Sequence, residues 1–263
     1  MNRLAVIILA AGKGKRMKSP IPKVLHLLSG KPILSYVINL ARELNPERIA
    51  VVIGHGAEKV KEWARGKPAP ASSKQGGQGA RDRIEFVEQK EQLGTGHAVM
   101  QTMNTLKNFD GDILILSGDV PLLKASTVHK LIKVHRESDA IITVLTTKIN
   151  NPEGYGRIVK NETGRIVNII EEKDASLKVK GIREINSGIY CFKKDFLFNL
   201  LKRLNRNNVQ QEYYLTDAVD IAFKSGLKIG SLVVEDPYEV MGINTQEELK
   251  NANIKYQKLK LRN

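Results

Sequence analysis

The chain has almost none of the residues that staple a fold or stack on bases. Its 263 residues include one cysteine, one tryptophan and only 5% aromatics in all. A single cysteine excludes an internal disulfide. Cys191 lies among Ile189, Tyr190 and Phe192, which reads as core rather than as a nucleophile. No apolar stretch approaches the roughly 20 residues that a membrane-crossing helix requires. The N-terminus runs straight into a strand-like segment, without a charged leader and cleavage site, so the expected compartment is the cytoplasm. His26, His55 and His97 lack the spacing of a metal cluster. Acids are also in deficit: 28 Asp and Glu stand against 42 Lys and Arg, a net charge of +14. That balance permits nucleic-acid binding. However, the cations are scattered, and the few aromatics form no stacking platform with basic rims. The expectation is therefore no nucleic acid and no membrane, with a positive field that favours small anionic substrates.

What is present begins at the first strand. Leu4, Ala5, Val6, Ile7, Ile8 and Leu9 form an apolar run without helical period, the pattern of a buried parallel strand. Small residues and glycines follow at Ala10, Ala11, Gly12 and Gly14, then Lys15, Arg16 and, after a short gap, Lys23. Small residues let a ligand approach the backbone, and the cations neutralise it. The spacing matches neither GxxxxGK[ST] nor GxGxxG, since Met17 stands where the third glycine would be. Glycines alone would read as a turn; with Arg16 and Lys23 in the same loop the reading is a polyphosphate site.

The first half alternates strands and helices. Strands are expected at Arg3–Ala11, Arg48–Ile53, Ile84–Glu88, Asp112–Ser117 and Ala140–Thr147. Helices are expected from Pro32 to Leu44 and at Ala57–Ala64, Thr95–Leu106 and Lys124–Glu137. The βαβ rhythm implies an α/β, doubly wound, mostly parallel sheet that binds ligands at the carboxyl ends of its strands. Residues 65–83, rich in Gly, Pro, Ser and Gln, read as a flexible insertion. Further on, Arg157–Lys160, Arg165–Glu172 and Glu184–Phe192 read as hairpins forming a small β-rich annex. Helices follow at Lys193–Leu204 and Tyr213–Ser225, and a strand at Leu227–Val234. Thr245 and Glu248 make a capping box for a terminal helix. The cations from Lys255 to Arg262 suit one solvated face of it.

Read together, LAAGKGKRM (Leu9–Met17) with PKVL (Pro22–Leu25) resembles the signature of the sugar-1-phosphate nucleotidyltransferases. EQLGTGHAV (Glu91–Val99), SGDVPLL (Ser117–Leu123), EGYGRIV (Glu153–Val159) and IIEEKDA (Ile169–Ala175) continue the match. So do EINSGIY (Glu184–Tyr190), QEYYLTD (Gln211–Asp217) and EVMGIN (Glu239–Asn244). The blocks are most similar to the uridyltransferase half of the bifunctional N-acetylglucosamine-1-phosphate uridyltransferases. The resemblance implies a Rossmann-like nucleotidyltransferase domain over residues 1–244, whose annex binds the sugar, and a C-terminal helix and tail over 245–263.

It also implies a set of roles. Arg16 would hold the triphosphate and the departing pyrophosphate, and Lys23 would neutralise the reacting phosphates. Leu9, Ala10, Ala11 and Gly12 would contact the nucleoside. Gln89, Gly94 and Thr95 would read uracil, an amide offering a donor and an acceptor to one edge of the base. Asp119 and Asn244 would hold Mg²⁺, which takes few protein oxygens besides phosphate and water. Tyr155, Gly156, Glu171 and Asn186 would meet the sugar. The substrates would be UTP and a sugar 1-phosphate, N-acetylglucosamine 1-phosphate first. The relatives' hexapeptide-repeat acetyltransferase domain is not found here, which leaves room for a separate acetyltransferase protein as partner. A monomer or weak dimer is expected.

Two departures stand out. Ser117 replaces a usual Tyr, and Gln211 a commoner Gly, which bear on sugar and base more than on reaction class. Alternatives stay open: a relative using glucose 1-phosphate or another sugar, with UTP or dTTP, or a non-catalytic nucleotide-sugar sensor. Loss of Arg16, Lys23 or Asp119 would have favoured the sensor, and all three are present.

Overall fold

Side-chain alternation along the first strand sets the architecture. In β1 (Leu4–Ala10), Leu4, Val6, Ile8 and Ala10 enter one hydrophobic cluster, and Ala5 and Ile7 enter another. A strand apolar on both faces must be covered on both. The computed structural model describes residues 3–65 and 84–260. The expected insertion falls, from residue 66 onward, outside the described residues.

After β1 come a small hairpin, β2 (Leu27–Leu28) and β3 (Lys31–Pro32), then α1 (Ile33–Glu43), β4 (Arg48–Ile53) and α2 (Ala57–Arg65). Next are β5 (Ile84–Glu88), α3 (Thr95–Met100), β6 (Asp112–Ser117), α4 (Ala125–Glu137) and β7 (Ile142–Lys148). The annex follows as β8 (Arg157–Lys160), β9 (Ile166–Ile170) and α5 (Leu177–Lys180). The chain continues through β10 (Glu184–Lys193), α6 (Lys194–Leu201), α7 (Asp217–Lys224), β11 (Ile229–Val234) and α8 (Gln246–Lys260).

Among the described residues the main sheet runs β11-β7-β10-β6-β1-β4-β5, with β8 and β9 attached through β10. Pairs β6–β1, β1–β4, β4–β5 and β7–β11 are parallel, and only β10 in that row runs the other way. Helices α1, α2 and α4 cover one face through residues such as Val37, Val60 and Leu131. Helices α3, α6 and α7 cover the other through Val99, Leu200 and Val219. The sheet is thus doubly wound and mostly parallel, with a β8–β9 annex.

Several expectations change in detail: the helices expected at Lys193–Leu204 and Tyr213–Ser225 run Lys194–Leu201 and Asp217–Lys224. The helix from Thr95 ends at Met100, not Leu106. There the Thr102 backbone N–H donates to Val99 O at 3.0 Å and its hydroxyl donates to the same oxygen at 2.8 Å. A hydroxyl competing for the backbone carbonyl tightens the chain into turns. The segment Glu184–Phe192 does not stay in an annex hairpin: as β10 it lies between β6 and β7 and pairs in register with β8 at Ile185–Arg157. Ile185, Ile189, Tyr190, Cys191 and Phe192 are all buried, so the strand is apolar enough for the sheet centre. The capping box forms as expected: Glu248 N–H donates to Thr245 Oγ1 at 3.1 Å, and Thr245 N–H donates to Glu248 Oε2 at 2.9 Å.

Candidate active site

The parallel strands β6, β1, β4 and β5 end on one edge of the sheet, and the functional candidates follow them in that order. Ser117 ends β6 and Asp119 follows it, Leu9 to Gly12 close β1, and Gln89 follows β5. From β6 to β5 is three strand spacings, roughly 14 Å. Backbone bonds lock this edge: Gly118 N–H to Leu9 O at 2.8 Å and Gln89 N–H to Ile53 O at 2.7 Å.

The loop after β1 is shaped by Gly14. Its φ is +59°, and a Cβ there would lie 2.7 Å from Lys23 Cβ. Glycine alone allows Lys23 to pack so close to the loop. Lys13, Lys15, Arg16 and Lys18 are exposed, and no carboxylate among the described residues pairs with them. Met17 is the loop's anchor, buried with Leu28, Ile33, Ile243, Leu249 and Ala252. That cluster brings α8 and the Gly242–Asn244 segment beside the cationic loop. A further tie is Gln246 Nε2 to Met17 O at 3.3 Å.

At the centre, the Lys23 ammonium donates both to Asp119 Oδ2 and, at 3.0 Å, to Asn244 Oδ1. Ile243 N–H to Asp119 O, 2.9 Å, holds the two carriers together. Burial pushes the Asp119 carboxyl up, but the charge and hydrogen bond of Lys23, with the Ser117 hydroxyl, outweigh it and leave the group below its ordinary value. A cation therefore already sits on the two oxygens expected to hold a metal. A carboxylate and an amide oxygen are hard donors that fit Mg²⁺ when phosphates complete the shell. Among the described residues no group of three His, Cys, Asp or Glu could hold a metal by itself.

On the annex side, the Asn186 N–H donates to Gly156 O at 2.9 Å, and Thr216 Oγ1 donates to Glu171 Oε1 at 3.1 Å. A Cβ on Gly156 would stand 3.5 Å from the Glu171 carboxyl, so the glycine keeps space open beside that acid. Gly156, Glu171 and Asn186 therefore come together. Burial raises the Glu171 carboxyl; Thr216 opposes this, and Asp217, Asp174 and Glu212 add to it. Tyr155 lies further toward α8. Its phenol is raised by burial and by Glu248 and Asp119, while Arg16 and the Gly242 backbone act the other way.

The base-reading candidates are used differently from expectation. Both hydrogens of the Gln89 amide point inward, to Gly94 O at 3.0 Å and to His97 Nδ1 at 3.1 Å. The Thr95 hydroxyl accepts from Leu215 N–H at 3.0 Å, tying this loop to the segment before α7. The amide's outward offer is then its carbonyl alone, not a donor and an acceptor. In the sequence His97 read only as lacking a metal cluster's spacing and Ser117 only as a departure from the usual Tyr, and Arg157 was overlooked. The signal for Arg157 was an arginine inside an otherwise apolar strand; it is 2% exposed and donates to Tyr155 O and, at 2.7 Å, to Glu172 Oε2.

A family model, Nucleotidyl transferase, matches residues 5–238. The chain belongs to the nucleotidyl transferase family. Within it, the chain is 47% identical over 252 residues to the bifunctional protein GlmU of Geotalea uraniireducens, covering 96% of this chain and 52% of that protein. To GlmU of Geobacter metallireducens it is 44% identical, over 96% of this chain and 50% of that one. The chain thus spans about half the length of these curated relatives. A solved UDP-glucose pyrophosphorylase in complex with UDP-glucose superimposes with a TM-score of 0.74, covering 98% of this chain and 99% of that one. At 19% identity that likeness is one of fold. No helix among the described residues is long and apolar enough to cross a membrane.

Proposed function

We propose that this chain transfers the uridylyl group of UTP to N-acetylglucosamine 1-phosphate, giving UDP-N-acetylglucosamine and pyrophosphate. The observation that carries the reading is the Lys23 ammonium held on Asp119 and Asn244, between a cationic loop with no carboxylate partner among the described residues and a largely buried group of sugar-type hydrogen-bonding residues. Similarity over about half the length of bifunctional GlmU proteins supports the choice of sugar and base.

In this reading a phosphate oxygen of the sugar ester attacks the α-phosphorus of UTP, forming one P–O bond as the bond to pyrophosphate breaks. The nucleophile is already an anion, so no base is needed. The obstacle is the meeting of two polyanions, and the protein's part is positioning and positive charge. Arg16 grips the triphosphate with its planar fork, a task for which Lys is a poor substitute. Lys23 neutralises the reacting phosphates. Asp119 and Asn244 would hold Mg²⁺, which supplies positive charge at the phosphates when bound. Leu9 to Gly12 offer backbone to the nucleoside, and a Cβ on Gly12 would meet nothing within 4 Å. Glu171 and Asn186 fork the sugar hydroxyls beside Gly156, with Tyr155 next in the chain. The compartment assigned to the reaction is the cytoplasm.

The test is pyrophosphate release with Mg²⁺ and UTP, comparing N-acetylglucosamine 1-phosphate, N-acetylgalactosamine 1-phosphate and glucose 1-phosphate, with dTTP as control. Release that favours UTP with the N-acetylglucosamine ester is expected. Preference for another pair overturns the substrate, and no release from folded protein overturns the reaction.

A further inference from the structure

We infer that His97 is a positioning residue that fixes Gln89 as a hydrogen-bond acceptor, so that the site selects a pyrimidine with a ring N–H at position 3 over one with a lone pair there. The inference rests on the reading that the end of β5 receives the base.

The argument starts from groups whose roles cannot change. Gly94 O can only accept, so the Gln89 atom 3.0 Å from it is the amide nitrogen. That nitrogen's second hydrogen meets His97 Nδ1 at 3.1 Å. Nδ1 must then carry a lone pair, and in neutral imidazole the proton sits on Nε2. The Gln101 amide nitrogen stands 3.0 Å from Nε2 and donates to His97 O at 3.0 Å. Neutral imidazole accepts at one nitrogen only; Gln101 has His97 O as its own acceptor, so the lone pair is assigned to Nδ1, facing Gln89. The ring itself is held by Tyr213, with centroids 6.3 Å apart and planes at 27°. Tyr213 in turn is laced to the same loop, donating to Leu93 O and accepting from Gly96 N–H, both at 2.8 Å.

With both hydrogens spent on Gly94 and His97, Gln89 presents its carbonyl oxygen. Uracil and thymine bring an N–H to that oxygen; cytosine brings a lone pair. Turning the amide to suit cytosine would break two hydrogen bonds and set one oxygen against Gly94 O. A site built to receive an N–H penalises the analogue that lacks it. His97 supplies one of the two bonds that hold the amide.

Calorimetric titration of the purified chain with UTP and with CTP, each with Mg²⁺, tests this without requiring turnover. The unaltered protein is expected to bind UTP at least about tenfold more tightly than CTP. His97→Leu is expected to narrow that ratio about fivefold, the share of one neutral hydrogen bond, and to leave sugar 1-phosphate affinity unchanged. His97→Phe, which keeps a ring against Tyr213 but offers Gln89 no lone pair, should move the ratio the same way. Equal binding of UTP and CTP by the unaltered protein overturns the inference, as does an unchanged ratio in His97→Leu. Should His97→Leu not fold, an unchanged ratio in His97→Phe overturns it. Selective UTP binding without pyrophosphate release would break the proposed reaction and leave this inference standing.

Discussion

The two ends of the cleft handle charge in opposite ways. At the end of β1, Lys13, Lys15, Arg16 and Lys18 are exposed, with no carboxylate among the described residues to pair them. At the annex, Glu171, Asp174, Glu212 and Asp217 crowd together, and burial with mutual repulsion raises Glu171 and pushes Asp217 up to about 6. Unpaired cations in water cost little and attract a polyanion. Crowded acids disfavour their own ionised forms and gain from neutral hydroxyls that share hydrogen bonds with them. One end therefore suits phosphates and the other an uncharged polyol. Lys23 with Asp119 is the junction, the place where a cation and an anion are matched.

The comparison can be broken at several points. The largest effect is expected at the phosphate end and the junction. Arg16→Ala or Asp119→Ala should lower turnover on the order of 10²- to 10³-fold, as loss of a group stabilising transition-state charge does. Pyrophosphate release measures it, and circular dichroism checks that the fold persists. A rate within a few-fold of the unaltered protein removes that residue from the mechanism.

Next is the anchor that places the cationic loop. Met17→Ala should cost about 2–3 kcal/mol, since it empties a site shared by the loop, Ile243 and α8. Urea unfolding reads the loss. A change below roughly 0.5 kcal/mol would mean that the loop is held by something else.

The acidic end should respond to pH. Asp217 has a raised folded value, about 6 against 3.8, because burial and then Asp220 and Asp174 oppose its charge. The native state thus binds more protons than the unfolded state between these values, and stability falls as pH rises through that window. Asp217→Asn removes the penalty and should gain roughly 1 kcal/mol at pH 7 relative to pH 4, a value reduced because the group is partly exposed to screening water. Equal pH dependence of urea midpoints in both proteins would remove Asp217 as the source.

The smallest effect sharpens the contrast at the rim. Lys13→Ala and Lys15→Ala should each raise the KM for UTP only about two- to fivefold, with the difference fading at high salt. Salt-independent losses would show that these lysines make direct contacts rather than a field.

Much of this was legible in the chain. Three strands, Arg48–Ile53, Ile84–Glu88 and Asp112–Ser117, fall where their apolar runs and flanking breakers put them. Hydrophobic patterning decides such elements locally, as does the Thr245–Glu248 box at the start of α8. The loop after β1 could be singled out because small residues and cations lie close together in its sequence, as a phosphate site requires. Less legible was the fate of Glu184–Phe192. Nothing in its own residues distinguishes a hairpin strand from one inserted antiparallel between β6 and β7. The early end of α3 turns on one hydroxyl, Thr102, whose choice of partner depends on the turn it occupies.

By itself, the sequence determined which residues could form strands, helices and caps, and which chemical groups were available. Period, propensity and capping act over a few residues, within reach of local reading. Tertiary structure alone decided that Lys23, Asp119 and Asn244, which are 96 and 221 residues apart from Lys23 in sequence, share two hydrogen bonds. It also decided that Gln89 spends its donors on Gly94 and His97, and that Arg157 braces the loop of Tyr155. Those outcomes depend on strand order and on buried anchors such as Met17. A side chain's partners are set by what the fold brings within about 3 Å, not by its neighbours along the chain.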